Sequence, residues 1–204
     1  MTSNQLTTLL LVRHGQSEWN AQGRWQGQAD SPLSELGKKQ AFEAASAVGA
    51  VDLIVSSPQS RALDTARIIS EGIGVGPVGE LEGLRERSAG EWSGLTHDEI
   101  EQKWPGWIEQ GRRPPAFESD ASLDSRVWAA LSQVVAASGG ADVLVLCHGG
   151  VIRHVERSLG AESSSVPNLA GRIVTYDGDR FFSGDRVELL AAVETPIDQQ
   201  RQVL

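Results

Sequence analysis

The sequence lacks several features that would assign it to other classes of protein. Its single cysteine, Cys147, cannot form an internal disulfide. No apolar run approaches the roughly 20 residues needed to cross a bilayer, and the polar start at residues 1–8 lacks the basic and apolar regions of a signal peptide. These absences predict a cytoplasmic protein with no membrane partner.

Positive charge is also in short supply. The chain has 18 Lys and Arg against 27 Asp and Glu, which gives a formal net charge of −9. Nucleic-acid binders present basic surfaces, so this balance argues against a nucleic-acid partner. It does not exclude a small anionic ligand, because a few arginines can form a local positive pocket on an acidic surface.

The apolar pattern predicts alternating strands and helices within a single domain over residues 1–204. Continuous apolar runs predict buried strands at 8–13, 52–56 and 141–147. Helical spacing predicts helices at 35–48, 60–70, 123–137 and 151–159, and a T-x-x-E capping box starts another at Thr96. Three turn-linked β segments follow at 172–176, 180–183 and 187–192, before a loose tail at 196–204. This order predicts a three-layer α/β/α sandwich with a mainly parallel central sheet and an antiparallel edge.

Two of the predicted strands deliver a His-Gly pair at their carboxyl ends. One is followed by His14-Gly15 and the other by His148-Gly149. Ligands of open α/β sheets bind in the crevice outside the carboxyl ends of the strands. If the two strands are neighbours, both imidazoles meet in that crevice.

Two further charged residues could join this site. Arg61 opens a helix directly after a strand, where free N–H groups and a guanidinium fork both suit a phosphate. Taken alone, Arg61 is better explained as a surface arginine. Glu86 alone is likewise better explained as an exposed loop acid paired with Arg85 or Arg87.

Five segments in order resemble the histidine phosphatase superfamily, also called the phosphoglycerate mutase-like family. They are RHGQSEWN at 13–20, DSPLSELG at 30–37, SSPQSRALDTA at 56–66, LRERSAGEWSG at 84–94 and CHGGVIR at 147–153. The resemblance implies that His14 is the phosphate-accepting nucleophile and that Glu86 is the proton donor. It also implies that Arg13, Arg61 and His148 grip the phosphoryl oxygens, that Asn20 and Gln26 line the pocket, and that the Gly149 backbone faces the phosphate.

The chemistry of phosphoryl transfer supports these roles. The reaction needs charge cancellation on the phosphoryl oxygens, which two guanidiniums and an imidazolium supply without a metal or other cofactor. The nucleophilic ring of His14 must be neutral, and its other nitrogen needs a hydrogen-bond acceptor. Partial burial of Glu86 is expected, because a proton donor works best when its pKa lies near the working pH. His97 and His154 lie apart from the other histidines, so no metal site is expected.

The sequence departs from the family at two places near the expected substrate pocket. The segment AFESDASLDSRV at 116–127 lacks the glycine of a common Gly-Glu-Ser motif, and Asp64 stands where glutamine is common. These departures bear on specificity rather than on the chemistry. The expected partner is a small phosphorylated metabolite. Oligomeric state is left open, with a homodimer as one option.

Three other functions compete with the phosphohistidine phosphatase. Cys147 and Arg153 satisfy the C-x5-R pattern of cysteine-based phosphatases, although this leaves Arg13 and His14 without a role. A 2,3-bisphosphoglycerate-dependent phosphoglycerate mutase is the chemical alternative, but no long insertion separates Glu86 from His148. A non-catalytic phosphate-binding protein is the third, although nucleophile and acid are both present.

Four of the six tryptophans fall in segments placed around the pocket mouth, namely Trp25, Trp92, Trp104 and Trp107. Tryptophan is highly buried on average, so packing under loops is one interpretation. The other is an apolar wall for the organic part of the substrate.

Overall fold

The computed structural model describes residues 6–190, whose strands form one six-stranded sheet. Its strand order is β3-β2-β4-β1-β5-β6. Pairs β1–β4, β2–β4 and β2–β3 are parallel, whereas β1–β5 and β5–β6 are antiparallel. The strands are β1 (Thr7–Arg13), β2 (Leu53–Ser56), β3 (Gly79–Glu80), β4 (Asp142–Cys147), β5 (Ala170–Tyr176) and β6 (Phe181–Glu188). This arrangement confirms the predicted sheet, parallel in the middle with an antiparallel edge.

Helices pack on both faces of the sheet. They are α1 (Glu18–Ala21), α2 (Glu35–Ala45), α3 (Ser60–Ile73), α4 (His97–Lys103), α5 (Asp120–Ser138) and α6 (Gly149–Ser158), with short 3-10 turns at Glu82–Leu84 and Gly90–Trp92. One buried cluster joins α5 and α6 to the sheet face that presents Leu9, Leu11 and Val145. The other joins α2 and α3 to the face that presents Val12 and Leu146. Because strand side chains alternate, each central strand feeds both clusters, which explains its unbroken apolar run.

Local capping sets the helix bounds. The predicted T-x-x-E box is present, since Thr96 Oγ1 accepts from Glu99 N and Glu99 Oε2 accepts from Thr96 N. Helix α5 begins at Asp120, earlier than predicted, because the Ser119 hydroxyl accepts from Ser122 N. Helix α6 begins at Gly149, two residues earlier than predicted, so that His148 is its N-cap.

The end of the chain differs from the prediction in its strand count. The predicted break between 183 and 187 is wrong, because β6 runs through it as one strand. A register shift on β5 between Arg172 and Val174 sets extra β6 residues opposite Ile173. Gly184 lies there, and a Cβ on it would stand 3.2 Å from Ile173 Cγ2. The glycine therefore marks a bulge rather than a turn. The predicted tail at 196–204 lies outside the described residues.

Across residues 6–190, none of the helices has the length and apolar character needed to cross a membrane.

Candidate active site

The two His-Gly strand ends meet at the carboxyl edge of the sheet. Strands β1 and β4 are direct neighbours with Arg13 opposite Cys147, and His14 N donates to Cys147 O at 3.1 Å. The imidazole centroids of His14 and His148 lie 5.2 Å apart, and the two residues are 3% and 0% exposed. The prediction that both imidazoles share one crevice is therefore confirmed.

A cleft of about 600 Å³ opens at this edge. It brings together seven of the eight predicted site residues, namely Arg13, His14, Asn20, Gln26, Arg61, Glu86 and Gly149. The eighth, His148, lies fully buried behind His14. Sequence motifs far apart along the chain thus converge on one site.

Hydrogen bonds fix the tautomer of His14. Its Nδ1 lies 2.6 Å from the carbonyl oxygen of Gly15, which can only accept, so Nδ1 carries the proton. The other nitrogen, Nε2, accepts from Arg61 Nε at 3.2 Å. The ring is therefore neutral with a lone pair on Nε2, as a nucleophile requires.

Electrostatics also favours neutral imidazoles. Burial lowers the pKa of His14 well below its ordinary value, and the charges of Arg61 and Arg13 lower it further, against the hydrogen bond to Gly15. Burial likewise lowers the pKa of His148, with Arg61, His14 and Arg13 adding to the effect. Burial and the neighbouring guanidiniums therefore favour a neutral His148 over the imidazolium expected from the sequence.

His148 instead offers a neutral donor. Its Nε2 lies 2.9 Å from the Ser57 hydroxyl, which itself accepts from Gln59 N. If Ser57 donates to Nε2, the proton of His148 sits on Nδ1. That buried Nδ1 has no hydrogen-bond partner within the described part of the chain.

The two site arginines are fixed by hydrogen bonds to backbone carbonyls and are largely shielded from solvent. Arg61 is 1% exposed, and its two terminal nitrogens donate to Ala29 O and Gly27 O at 2.8 and 2.9 Å. Arg13 Nη1 donates to Val166 O at 2.7 Å. Burial lowers the pKa of each to about 10, so both stay charged at neutral pH. Desolvated guanidiniums beside neutral imidazoles leave the pocket positive, which favours an anion.

Glu86 is anchored by backbone rather than by arginine side chains. Its Oε2 accepts from Gly150 N at 3.0 Å, in the first turn of α6, and its Oε1 accepts from Arg87 N at 2.8 Å. Its own N–H donates to Gln59 Oε1. The alternative of side-chain pairing with its neighbours is not observed, since Arg85 pairs with Glu82 and Arg87 with Asp120. As expected, Glu86 is only partly buried.

Asn20 and Gln26 are oriented through one serine. Ser17 caps α1, donates its N–H to Asn20 Oδ1 at 3.2 Å, and donates its hydroxyl to Gln26 Oε1 at 2.9 Å. Since both amide oxygens are thereby engaged, the NH₂ ends remain as donors that can serve the cleft.

The loop after α6 supplies positioning contacts that sequence reasoning missed. Val166 O accepts from Arg13, and Asn168 Nδ2 donates to His14 O at 2.9 Å. Gln59 was also missed, although it stands two residues before Arg61, and its amide bridges Glu86 N and Gly27 O. Its place in the SSPQSR segment was the available signal; the loop residues offered none.

Only one of the four tryptophans lines the cleft. Trp25 does so, and packs edge-on against buried Trp92 at 5.1 Å between ring centroids. Trp92, Trp104 and Trp107 pack together under the loops with Ile100. Of the four tryptophans, Trp25 alone can contribute to an apolar wall, and packing accounts for the other three.

Cys147 is poorly placed to be a nucleophile. Its side chain is fully buried in the core cluster beneath α5 and α6. Burial raises the pKa of its thiol well above the ordinary value, which disfavours the reactive thiolate. His97 stands at the exposed start of α4, and His154 bonds to Asp124 at 2.9 Å, so neither joins the site.

Comparisons with known proteins identify relatives across most of the chain. Residues 9–182 match the family model described as the histidine phosphatase superfamily (branch 1). The glucosyl-3-phosphoglycerate phosphatase of Mycobacterium tuberculosis is 39% identical over 166 residues, covering 74% of each chain. A mycobacterial glucosyl-3-phosphoglycerate phosphatase solved in complex with VO3 has a TM-score of 0.77 at 30% identity, covering 88% of this chain and 97% of that one. A 2,3-bisphosphoglycerate-dependent phosphoglycerate mutase of Parvibaculum lavamentivorans is 36% identical over 165 residues, covering 74% of this chain and 79% of that protein.

Proposed function

This chain belongs to the histidine phosphatase superfamily, and from that membership we propose that it hydrolyses small phosphate monoesters through a phosphohistidine on His14. The reaction class, phosphoric monoester hydrolysis, is that of its phosphatase relatives. The assignment of roles to residues rests mainly on one observation. His14 is held as a neutral ring with its proton on Nδ1 and its lone pair on Nε2.

The first step transfers the phosphoryl group to the protein. The lone pair of His14 Nε2 attacks phosphorus as the bond from phosphorus to the ester oxygen breaks, while Glu86 gives its proton to the departing oxygen. The guanidiniums of Arg13 and Arg61 and an N–H of His148 hold the phosphoryl oxygens. These donors are already fixed by the protein, so little reorganisation opposes the reaction.

The second step returns the protein to its starting state. The Glu86 carboxylate takes a proton from water, and the oxygen of that water attacks phosphorus as the N–P bond breaks. Inorganic phosphate leaves, His14 regains its lone pair and Glu86 is again protonated. The N–H groups of Gly150 and Arg87 hold the carboxylate in one place through both steps.

The substrate is proposed to be a small phosphorylated metabolite, since the cleft of about 600 Å³ suits a ligand of that size. The phosphatase relative named above acts on glucosyl-3-phosphoglycerate, which makes a sugar-acid phosphate a sensible first substrate. We also propose a cytoplasmic location on the single, fully buried cysteine. The oligomeric state stays open between monomer and homodimer.

The variant test compares phosphate release from p-nitrophenyl phosphate by wild type, His14→Ala and Cys147→Ser without added metal. The proposal expects loss of activity in His14→Ala and retention in Cys147→Ser, which serves as the control for the C-x5-R alternative. The reverse pattern would reject the phosphohistidine route. Strong activation of phosphoglycerate interconversion by 2,3-bisphosphoglycerate would instead favour the mutase.

A further inference from the structure

Helix α6 carries a ridge of positive charge outward from the phosphoryl site. Arg153 and Arg157 are four residues apart, so they stand on one face of the helix, and both line the cleft. A Cβ on Gly149 would stand 3.6 Å from Arg153 Nη1 and 3.6 Å from Arg13 Cδ. The Arg153 guanidinium therefore lies beside Arg13, and Arg157 extends the ridge by one further turn.

These like charges act on one another. After burial, the strongest influence that lowers the pKa of Arg13 is the charge of Arg153. The pKa of Arg153 is lowered mainly by burial, and the charge of Arg157 adds to this against the raising effect of Glu86. Arg157 takes part in none of the ion pairs found among residues 6–190. It is exposed and lines the cleft.

The acids nearest to the ridge are already engaged. Asp120 forms an ion pair with Arg87, which lowers its pKa, and the charge of Arg157 adds to that effect. Glu86 is held by backbone N–H groups of Gly150 and Arg87. Glu156, on α6 itself, is fully buried in its pairs with Arg172 and Arg186. Among residues 6–190, the outer end of the ridge at Arg157 therefore has no ion-pair partner.

A serine loop forms the adjoining wall of the cleft. Ser163, Ser164 and Ser165 all line it. Arg186 donates to Ser164 Oγ at 2.6 Å and to Ser165 O at 3.1 Å, and also to Glu156 Oε2 at 2.8 Å. Since Glu156 belongs to α6, this arginine ties the loop to the helix that bears the ridge. Arg186 thus holds the Ser164 hydroxyl and the Ser165 carbonyl in place, and the Ser163 hydroxyl donates to Arg153 O at 3.4 Å, which joins the loop to α6 a second time.

We infer that Arg153 and Arg157, with the serine loop 163–165, bind a second anionic group of the same substrate. That group is a carboxylate or a second phosphate, whose oxygens match guanidinium forks and hydroxyl donors. It lies on the Arg157 side of the transferred phosphate, along the face of α6 that lines the cleft. The inference rests on the proposed function, because it takes His14 as the phosphoryl site.

The test uses three substrate series of increasing chain length. Alkyl phosphates carry one anion, ω-carboxyalkyl phosphates add a carboxylate, and alkanediol bisphosphates add a phosphate. For substrates with a second anionic group, the wild-type kcat/KM should be about tenfold or more above that for the alkyl phosphate of the same chain length. This is the gain expected of one charge-assisted contact. The gain should peak at one chain length, and whichever of the two series with a second anionic group shows the larger gain identifies that group.

Variants locate the subsite. Arg157→Gln should reduce the gain to near unity, and Arg157→Glu should make the second anion unfavourable. Arg180→Gln is the matched control, because Arg180 is exposed at the β5–β6 turn, at the opposite end of β1 from the cleft. It should keep the full gain.

The outcomes separate this inference from the proposed function. Equal kcat/KM for alkyl phosphates and for substrates with a second anionic group, or a gain that survives in both Arg157 variants, overturns the second-anion subsite while the phosphatase mechanism stands. Failure of wild type to turn over any of the three series, or p-nitrophenyl phosphate, overturns the proposed function and this inference together.

Discussion

Replacing Gly150 with alanine should move the proposed acid without disturbing the fold. A Cβ at this position would stand 2.2 Å from Glu86 Oε1 and 2.9 Å from its Cδ. The obstructed atoms are the far end of a flexible side chain, so the carboxyl group is expected to swing away while the backbone stays in place. Its hydrogen bond from Gly150 N, at 3.0 Å, would be lost in the process.

The size of the effect depends on the leaving group. A hydrogen bond to a charged group contributes about 1.5–3 kcal/mol, and a positioned general acid contributes roughly 10²–10⁴-fold to the rate. For an alkyl phosphate, whose leaving oxygen needs a proton, kcat/KM should fall by about 10²-fold. For p-nitrophenyl phosphate, whose phenolate leaves readily, kcat/KM should fall much less. Stability should change by under about 1 kcal/mol, since alanine favours a helix over glycine.

The assay measures kcat/KM for both esters and the thermal midpoint of Gly150→Ala and of Gly79→Ala. Gly79 is a suitable control because a Cβ there would meet its nearest neighbour at 3.7 Å, an ordinary contact on the edge strand. An equal loss on both esters would mean that the substitution acts through general disruption. Full activity on the alkyl ester would remove Glu86 from its proposed role.

The remaining predictions concern stability, positioning and metals. Folding lowers the pKa values of His14 and His148, so below about pH 6.5 the unfolded chain binds more protons than the folded protein. The free energy of unfolding, measured in urea, should therefore decline as the pH falls, by up to about 1.4 kcal/mol per pH unit for each histidine. A pH-independent stability from 7.5 to 5.5 would contradict this. Asn168→Ala removes the donor to His14 O and should lower kcat by about tenfold with a stability cost near 1 kcal/mol; unchanged kcat would show that the contact is dispensable. Activity should persist in EDTA, because guanidiniums and imidazoles supply the charge and donors, and a complete loss restored by a divalent ion would refute this.

Much of the fold could be predicted from the sequence, because strands buried on both faces have a recognisable apolar pattern. The runs that end at Arg13 and Cys147 are apolar at successive positions, as expected of strands that are covered by helices on both faces. The carboxyl ends of parallel strands share one edge, so the meeting of His14 and His148 followed from the pattern once β1 and β4 were neighbours.

What sequence could not supply depends on tertiary contacts. The pKa of His148 is lowered by its complete burial and then by the charge of Arg61, and no local sequence pattern records either. The contact of Asn168 with His14 joins residues 154 positions apart through an irregular loop. The bulge at Gly184 resembled a turn because glycine serves both structures.

The central claim is that the phosphoryl group passes through His14. The direct measurement mixes the protein with radiolabelled substrate, quenches within milliseconds in alkali, and locates the label by peptide mapping. A phosphohistidine, stable in alkali and labile in acid, should appear on His14 in wild type and in Cys147→Ser, and should be absent from His14→Ala. Rapid turnover with no label on His14 at any time, or a label that disappears only in Cys147→Ser, would contradict the account.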